Sequence, residues 1–412
     1  MGLLFVPTPM IRIATVLGSL LLFSCGMFKP AIPQPKEEFR AAWIATVANI
    51  DWPPSGQDSW ESQQQAYLEL LDFYQQLNFN TVIVQVRTAG DALYPTDMAP
   101  WSRYLSGTEG IPPRTAEDPL EWLIDQAHRR GIDFHAWLNP YRATMSLDTT
   151  SLAAQHDYYR HPDWMLAYGN RYYYNPGLPG VQEHLAAIMR EVVANYEVDG
   201  IHFDDYFYPY KIAGEVFADS VAYQSLAPAG QSLADWRRSN VDSLVFKVHR
   251  AVKQEKPWVQ FGISPFGVWR NRDQDPGGSD TQAGQTTYDD LYADPLNWIR
   301  QGWIDYIVPQ VYWSLDYPPA SHRKLASWWA SKSDGAHLYI GNAAYKIRNN
   351  ADKAWKKKKE LAKQISLARS MHGIGGNVLF SAKSLRNQPD VTAYLKKHLY
   401  PYPALTPGTQ GE

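Results

Sequence analysis

From residue 39 onward, short runs rich in Val, Ile, Phe and Trp alternate with longer stretches whose apolar residues recur at helical spacing. The short runs predict strands at 40–47, 81–86, 134–139, 200–204, 259–264, 306–311, 338–342 and 377–381. Between and after them the spacing predicts helices at 59–77, 119–130, 181–196, 233–254, 289–301, 322–331, 351–371 and 390–398. Leu68, Leu71 and Leu77 mark one face of the first helix, Asp118 stands where an N-cap is expected, and Gly131 where a helix stops. Strict alternation implies a parallel sheet, and eight units imply closure into an α/β fold of the (β/α)8 TIM-barrel type. A doubly wound open sheet is the structural rival, but no strand is followed by GxGxxG. The long stretches after the third strand (142–180) and the fourth (207–231) fall in βα loops, which build the working face of such a barrel. The lysines at 356–359 are expected on the solvated side of the seventh helix.

The chain before this pattern behaves differently. Residues 11–23 are mostly apolar with Arg12 near their start, too short to span a bilayer comfortably, and read as a secretory signal. The segment ends Leu22-Phe23-Ser24-Cys25, similar to a bacterial lipobox. Cleavage there leaves Cys25, the sole cysteine, as the lipidated N-terminus, so residues 1–24 are the signal peptide and 25–38, rich in proline, a tether to a domain at 39–412. Gly26 stands where an inner-membrane retention aspartate is found in enteric bacteria, so the expectation is a cell-envelope protein lipid-anchored in the outer membrane.

Composition changes the picture in two respects. The net charge of −3 gives no reason to expect nucleic acid. The 16 Trp and 26 Tyr, many beside polar residues in loops, suit a polysaccharide, whose flat C–H faces edged with hydroxyls match an apolar ring with a polar tip.

Chemistry in a barrel sits at the C-terminal ends of the strands. The fourth strand reads Asp199-Gly200-Ile201-His202-Phe203-Asp204-Asp205-Tyr206. Alternation points His202, Asp204 and Tyr206 to one side and starts Asp205 on the other, from which the following bend can swing it over the rim. Glycoside hydrolysis needs a proton donor and a second group that handles the developing positive charge. Asp204 is the leading catalytic candidate, with Asp91 and Asp205, then Asp51, as its partner. Candidates for substrate binding near other strand ends are Trp43, Arg87, Trp137, Asn139, Tyr141, Asn175, His202, Gln310, Tyr312, Trp313 and Tyr345. No cofactor or metal is expected.

Several blocks in order resemble the bacterial glycosyl-hydrolase-ten-like family: Phe39-Arg40-Ala41-Ala42-Trp43-Ile44, Gln85-Val86-Arg87-Thr88-Ala89-Gly90-Asp91-Ala92-Leu93-Tyr94, Ala136-Trp137-Leu138-Asn139-Pro140-Tyr141-Arg142, the fourth-strand segment, Asn175-Pro176-Gly177 and Pro309-Gln310-Val311-Tyr312-Trp313. The resemblance implies a TIM-barrel glycosidase of the cell envelope acting on peptidoglycan glycan strands denuded of stem peptides, with cell-division or envelope proteins as partners. The fourth strand also looks like the Asp-Gly-x-Asp-x-Asp-x-Glu signature of chitinase-type barrels. Asp204 falls on its last Asp, while His202 replaces the earlier Asp and Tyr206 the acid Glu, so the acid comes from elsewhere or Asp204 itself serves.

Two rivals differ in class. A metal-dependent polysaccharide deacetylase is suggested by Asp204-Asp205, but no histidine pair has His-x3-His spacing, the nearest being His156 and His161. A non-catalytic glycan-binding lipoprotein uses the same aromatics but needs few inward carboxylates. A serine hydrolase lacks its Gly-x-Ser-x-Gly elbow.

Overall fold

A computed structural model describes residues 1–2 and 34–408. The chain divides into Met1–Pro33 and Gln34–Glu412. The apolar segment and Cys25 therefore lie outside the described residues. No helix among the described residues is long and apolar enough to cross a membrane.

Among its described residues the second unit has ten strands: β1 Phe39–Ile44, β2 Thr81–Arg87, β3 Asp133–Leu138, β4 Met165–Tyr168, β5 Arg171–Tyr174, β6 Gly200–Phe203, β7 Gln260–Ile263, β8 Tyr306–Ile307, β9 His337–Ala343 and β10 Ile374–Phe380. Eight of them close into a parallel barrel in the order β1-β10-β9-β8-β7-β6-β3-β2. This is the (β/α)8 TIM barrel, with helices between the strands. β4 and β5 are extra, an antiparallel hairpin in the loop after β3.

The barrel interior is filled, as a TIM barrel's is, by side chains from successive strands. Phe39 stacks on Tyr339 at 4.0 Å near the N-terminal end. Above them the Tyr306 hydroxyl lies between Nδ1 of His135 (2.7 Å) and Nδ1 of His202 (2.9 Å). Trp43 and Trp137 roof this layer and belong to the same buried core. Tyr306 fits because its neighbour on β7 is Gly262, where a Cβ would stand 2.0 Å from the ring.

Helix termini follow local chemistry. Ser59 accepts from the Ser62 amide at the start of Trp60–Gln76, and Asp118 accepts from Leu120 and Glu121 at the start of Pro119–His128. Gly131 has φ +66°, the left-handed stop expected of it. The first helix buries Trp60, Gln63, Tyr67, Leu70, Leu71 and Tyr74. Its inner face is thus set by aromatics, and Leu68 lies only partly buried at its edge.

Four expectations are corrected. The sixth barrel strand, expected over 306–311, ends at Ile307, because Pro309 has no N–H to continue the ladder. The helix expected at 289–301 is two short ones, Thr287–Asp290 and Pro295–Arg300, with Pro295 opening the second. The helix expected at 351–371 is a 3-10 turn, Lys353–Lys356, and a helix, Glu360–Arg369. The lysine run falls in the break: adjacent like charges repel, and Trp355 is drawn inward to 1% exposure. Finally, residues 34–38, expected as tether, belong to the barrel. Glu38 donates its amide to Leu405, and its carboxylate binds Arg40 Nε at 2.5 Å and Arg369 Nε at 2.6 Å.

Candidate active site

At the C-terminal mouth lies a cavity of about 300 Å³. Its two carboxyls come from the end of β6, where the strand stops at Phe203, one residue earlier than expected. The Tyr206 amide then bonds Asp204 Oδ1 (3.0 Å) and the Phe207 amide bonds the Asp205 carbonyl (3.0 Å). This turn ends the alternation, so Asp204 and Asp205 both face the cavity.

The two carboxyls differ. Asp205 accepts a hydrogen bond from the Tyr210 hydroxyl. Asp204 Oδ2 is buried and meets no hydrogen-bond partner among the described residues. Burial raises Asp205, and the Tyr210 hydroxyl opposes that rise by stabilising the anion. Burial, then the neighbouring Asp205 charge, pushes Asp204 up to about 8. When two close carboxyls compete, the one bonded to a donor ionises first, and the other keeps its proton. Asp204 is therefore the protonated member at neutral pH.

Aromatic side chains surround the pair. Of the expected binding residues, Trp43, Trp137, Asn139, Gln310, Tyr312 and Tyr345 line the cavity. Asn139 is fixed by the Trp137 indole N–H (2.9 Å) and by its own bond to the Thr88 carbonyl (2.9 Å). Gln310 donates to the Ser264 carbonyl (3.0 Å).

The others stand elsewhere. His202 lies beneath the floor, fully buried. Its Nε2 meets the Trp43 indole at 3.2 Å, and because that N–H can only donate, Nε2 accepts. The proton then sits on Nδ1 and is donated to Tyr306, whose own proton goes to His135. Burial lowers both imidazoles, which keeps them neutral in this chain. His202 thus holds Trp43 in place instead of meeting substrate. Arg87 is buried against the Asp91 carbonyl (3.3 Å) and the Tyr174 hydroxyl (3.2 Å). Tyr141 is fully buried. Asn175 bonds the Gly177 amide in the turn that leads to the helix Pro179–Asn195. Trp313 packs edge-on against Phe266.

Asp91 is also away from this cavity. Oδ1 accepts from the Thr88 and Ala89 amides, both at 2.9 Å, which commits it to shaping its own loop. Asp51 bonds Ala45, Ser381 and Lys383, tying the ends of β1 and β10 together.

Other lining residues had gone unassigned: Val47 and Ile50, Gln85, Arg142, Tyr206 and Tyr210, Ser264 and Phe380. Val47 and Ile50 reach the rim because β1 stops at Ile44 and a turn with Ala48 and Asn49 at φ 52° and 53° follows. Arg142 was hidden by alternation, which favours Tyr141. Pro140 breaks that alternation, and Arg142 instead pairs with Tyr173 of β5. Among the described residues no three His, Cys, Asp or Glu side chains are grouped to hold a metal ion.

A carboxyl pair split in protonation, set under aromatic walls at the mouth of a parallel barrel, places the chain in the glycoside-hydrolase class of (β/α)8 enzymes. The model of the Glycosyl hydrolase-like 10 family matches residues 38–357, and the chain belongs to that family. It is 46% identical over 403 residues to Glycosyl hydrolase YngK of Bacillus subtilis (strain 168), covering 95% of this chain and 79% of that protein. It is 40% identical over 395 residues to Glycosyl hydrolase DigH of Escherichia coli (strain K12), covering 90% of this chain and 89% of that protein. Two solved structures share the fold. The PgaB (BpsB) glycoside hydrolase domain from Bordetella bronchiseptica superposes with a TM-score of 0.58 at 14% identity, covering 88% of this chain and 99% of that one. The endo-1,4-beta-mannanase from Rhizomucor miehei gives 0.51 at 9% identity, covering 88% and 99%.

Proposed function

We propose that this protein hydrolyses glycosidic bonds in a cell-envelope polysaccharide, the glycan strands of peptidoglycan freed of their peptides, with Asp204 as proton donor and Asp205 as its ionised partner. The observation that carries this reading is the unequal carboxyl pair: Asp204 buried with a free Oδ2, Asp205 bonded to Tyr210. Leaving-group departure from a sugar needs a proton on the glycosidic oxygen and negative charge near the oxocarbenium-like centre. A carboxyl held protonated in a dry pocket supplies the first, and a neighbouring carboxylate the second. Trp43, Trp137, Tyr312 and Tyr345 offer ring faces to the sugar's C–H faces. The names of the two bacterial relatives agree with hydrolysis.

The substrate follows from the leader. An apolar segment ending in Leu-Phe-Ser-Cys sends the barrel to the envelope and tethers it through Cys25, in the outer membrane, where peptidoglycan glycan is within reach. Cell-division or envelope proteins are the partners this placement favours. Replacing Cys25 by Ser should release the protein from the membrane fraction or leave its signal uncleaved; unchanged processing and attachment contradict the anchor.

Mass spectrometry of denuded glycan strands after incubation tests the activity. Shorter sugars are expected. Loss of acetyl groups without shortening indicates a deacetylase, and unchanged glycan with measurable binding indicates a binding protein.

A further inference from the structure

The molecule buries several arginines, and most of them have a carboxylate. Arg40 and Arg369 share Glu38, and Arg237 holds Asp219 through two nitrogens at 2.6 and 2.8 Å. Arg87 and Arg142 pair with no carboxylate among the described residues and each leaves Nε without a hydrogen-bond partner, but Arg142 differs from Arg87 in where it stands. It is 6% exposed, and it lines the cavity. Its Nε meets no hydrogen-bond partner among the described residues, and none of their carboxylates pairs with it. Its close partner is Tyr206, whose ring centroid lies 3.9 Å from Cζ and whose hydroxyl interacts with the guanidinium. A ring face attracts the cation but accepts no strong in-plane hydrogen bond, and the Nε–H donor remains unspent.

A guanidinium taken out of water without an acceptor is costly. The backbone nevertheless holds it there. Arg142 bridges Tyr173 of β5, and the Tyr174 amide bonds the Tyr141 carbonyl at 2.9 Å. The hairpin β4–β5 is thus the element that keeps this cation at the cavity wall. Asp204 is near enough to favour the charged guanidinium, yet does not pair with it. The missing partner is then expected from the ligand.

Building on the glycan-hydrolysing reading above, we infer that Arg142 is a specificity-determining residue that binds a free carboxylate on the glycan, making an acidic sugar unit the preferred occupant of the cavity. The planar fork of a guanidinium matches a carboxylate better than a single hydroxyl. Two sugars carry the required group: a hexosamine with a lactyl ether, and a uronic acid. An amide in place of the carboxylate has no charge and offers one acceptor oxygen. The site therefore discriminates a glycan with free carboxyls from the same glycan with its carboxyls amidated.

The test uses one lactyl-bearing hexosamine oligosaccharide as free acid and as methylamide, with a uronic-acid oligosaccharide and its methylamide as a second pair. The full-length protein, Arg142→Gln and Arg142→Lys are compared by kcat/KM. Binding is measured by calorimetry in an Asp204→Asn background, so the preference is read even if no bond is cleaved. The native protein should prefer the free acid by about tenfold or more in at least one pair. Arg142→Gln should collapse that ratio to within about threefold, chiefly through KM, and Arg142→Lys should keep part of it, since an ammonium retains charge but not the fork. The pair with the larger ratio identifies the carboxylate's source. Equal loss on acid and amide in Arg142→Gln, or no preference in the native protein, overturns the inference. A binding preference without cleavage upholds it and contradicts the hydrolase reading instead.

Discussion

The two ends of this barrel both bury charge, and they treat it in opposite ways. At the N-terminal end Glu38 gives both oxygens to Arg40 and Arg369, at 2.5 to 2.7 Å, and the Tyr400 ring lies 4.7 Å from the Arg40 guanidinium carbon. Arg40 also donates to the Tyr402 carbonyl at 2.6 Å and Arg369 to the Leu399 carbonyl at 2.6 Å. At the C-terminal mouth, Asp204 Oδ2 and Arg142 Nε are buried without a hydrogen-bond partner among the described residues. The first cluster closes the fold, stapling residues 34–38 and the C-terminal segment to the barrel. The second holds polar groups ready for something that arrives. Satisfied buried charge reads as structure, and unsatisfied buried charge beside a cavity reads as function.

The comparison is broken most forcefully at the bottom. Glu38→Gln leaves two buried guanidinium groups without their carboxylate, and the expected loss is about 3–5 kcal/mol of stability. Urea unfolding checks this. The protein that remains folded should turn over glycan normally; a specific loss of turnover with intact stability would erase the distinction between the ends.

At the mouth the effect should run the other way. Asp204→Asn keeps the shape but cannot donate a proton, so turnover should fall about 10²-fold or more, with glycan binding retained. Stability should move in a pH-dependent direction. Asp204 is raised from 3.8 to about 8 on folding, so the native state holds its proton more tightly than the unfolded chain. The stability this gives is fully present below the unfolded value and is lost as pH rises through the folded one. Asp204→Asn lacks this loss, so its melting temperature should gain on the native protein between about pH 4 and pH 8. Melting curves across that range that stay parallel would contradict the assignment. In the native enzyme, kcat/KM should fall as pH rises past the same point.

Between the ends, His202→Leu removes the acceptor of the Trp43 indole and the partner of Tyr306. Leaving the buried Trp43 indole donor without an acceptor, and the Tyr306 oxygen without the His202 proton, should cost about 1–3 kcal/mol. The emission of Trp43 should shift as its ring loosens, measured against a Trp43→Phe control. The smallest effect is expected from Asp91→Asn. One of its oxygens accepts from the Thr88 and Ala89 amides, and the amide oxygen can take over that role, so the loss should be about 1 kcal/mol. Turnover should drop far less than in Asp204→Asn; an equal drop would make Asp91 part of the chemistry.

The sequence carried the barrel almost whole, because eight buried parallel strands must each read as an apolar run and each helix carries its own caps. It carried less of the site, for a physical reason. Residue parity holds only while a strand lasts. It correctly turned His202 inward, but it could not tell that His202 sits one layer below the cavity, under Trp43. Beyond the strand ends the turn at Asp204, Pro140 and the left-handed Ala48 and Asn49 reset the parity, and so Arg142, Val47 and Ile50 went unassigned. Asp91 and Arg87 were conspicuous as charges near a strand end, yet Asp91 is used up in its own loop and Arg87 lies away from the cavity. What separates Asp91 from Asp204 is hydrogen-bond satisfaction, and what separates Arg87 is its distance from the cavity, both of which exist only in three dimensions.

The central claim is that Asp204 carries a proton at neutral pH in the resting enzyme. Infrared difference spectroscopy between the native protein and Asp204→Asn observes that proton directly, without turnover. The native-minus-Asp204→Asn difference spectrum should hold a protonated-carboxyl band at pH 6 that disappears as pH is raised through about 8. A native spectrum in which this carboxyl is already ionised at pH 6 would contradict the account.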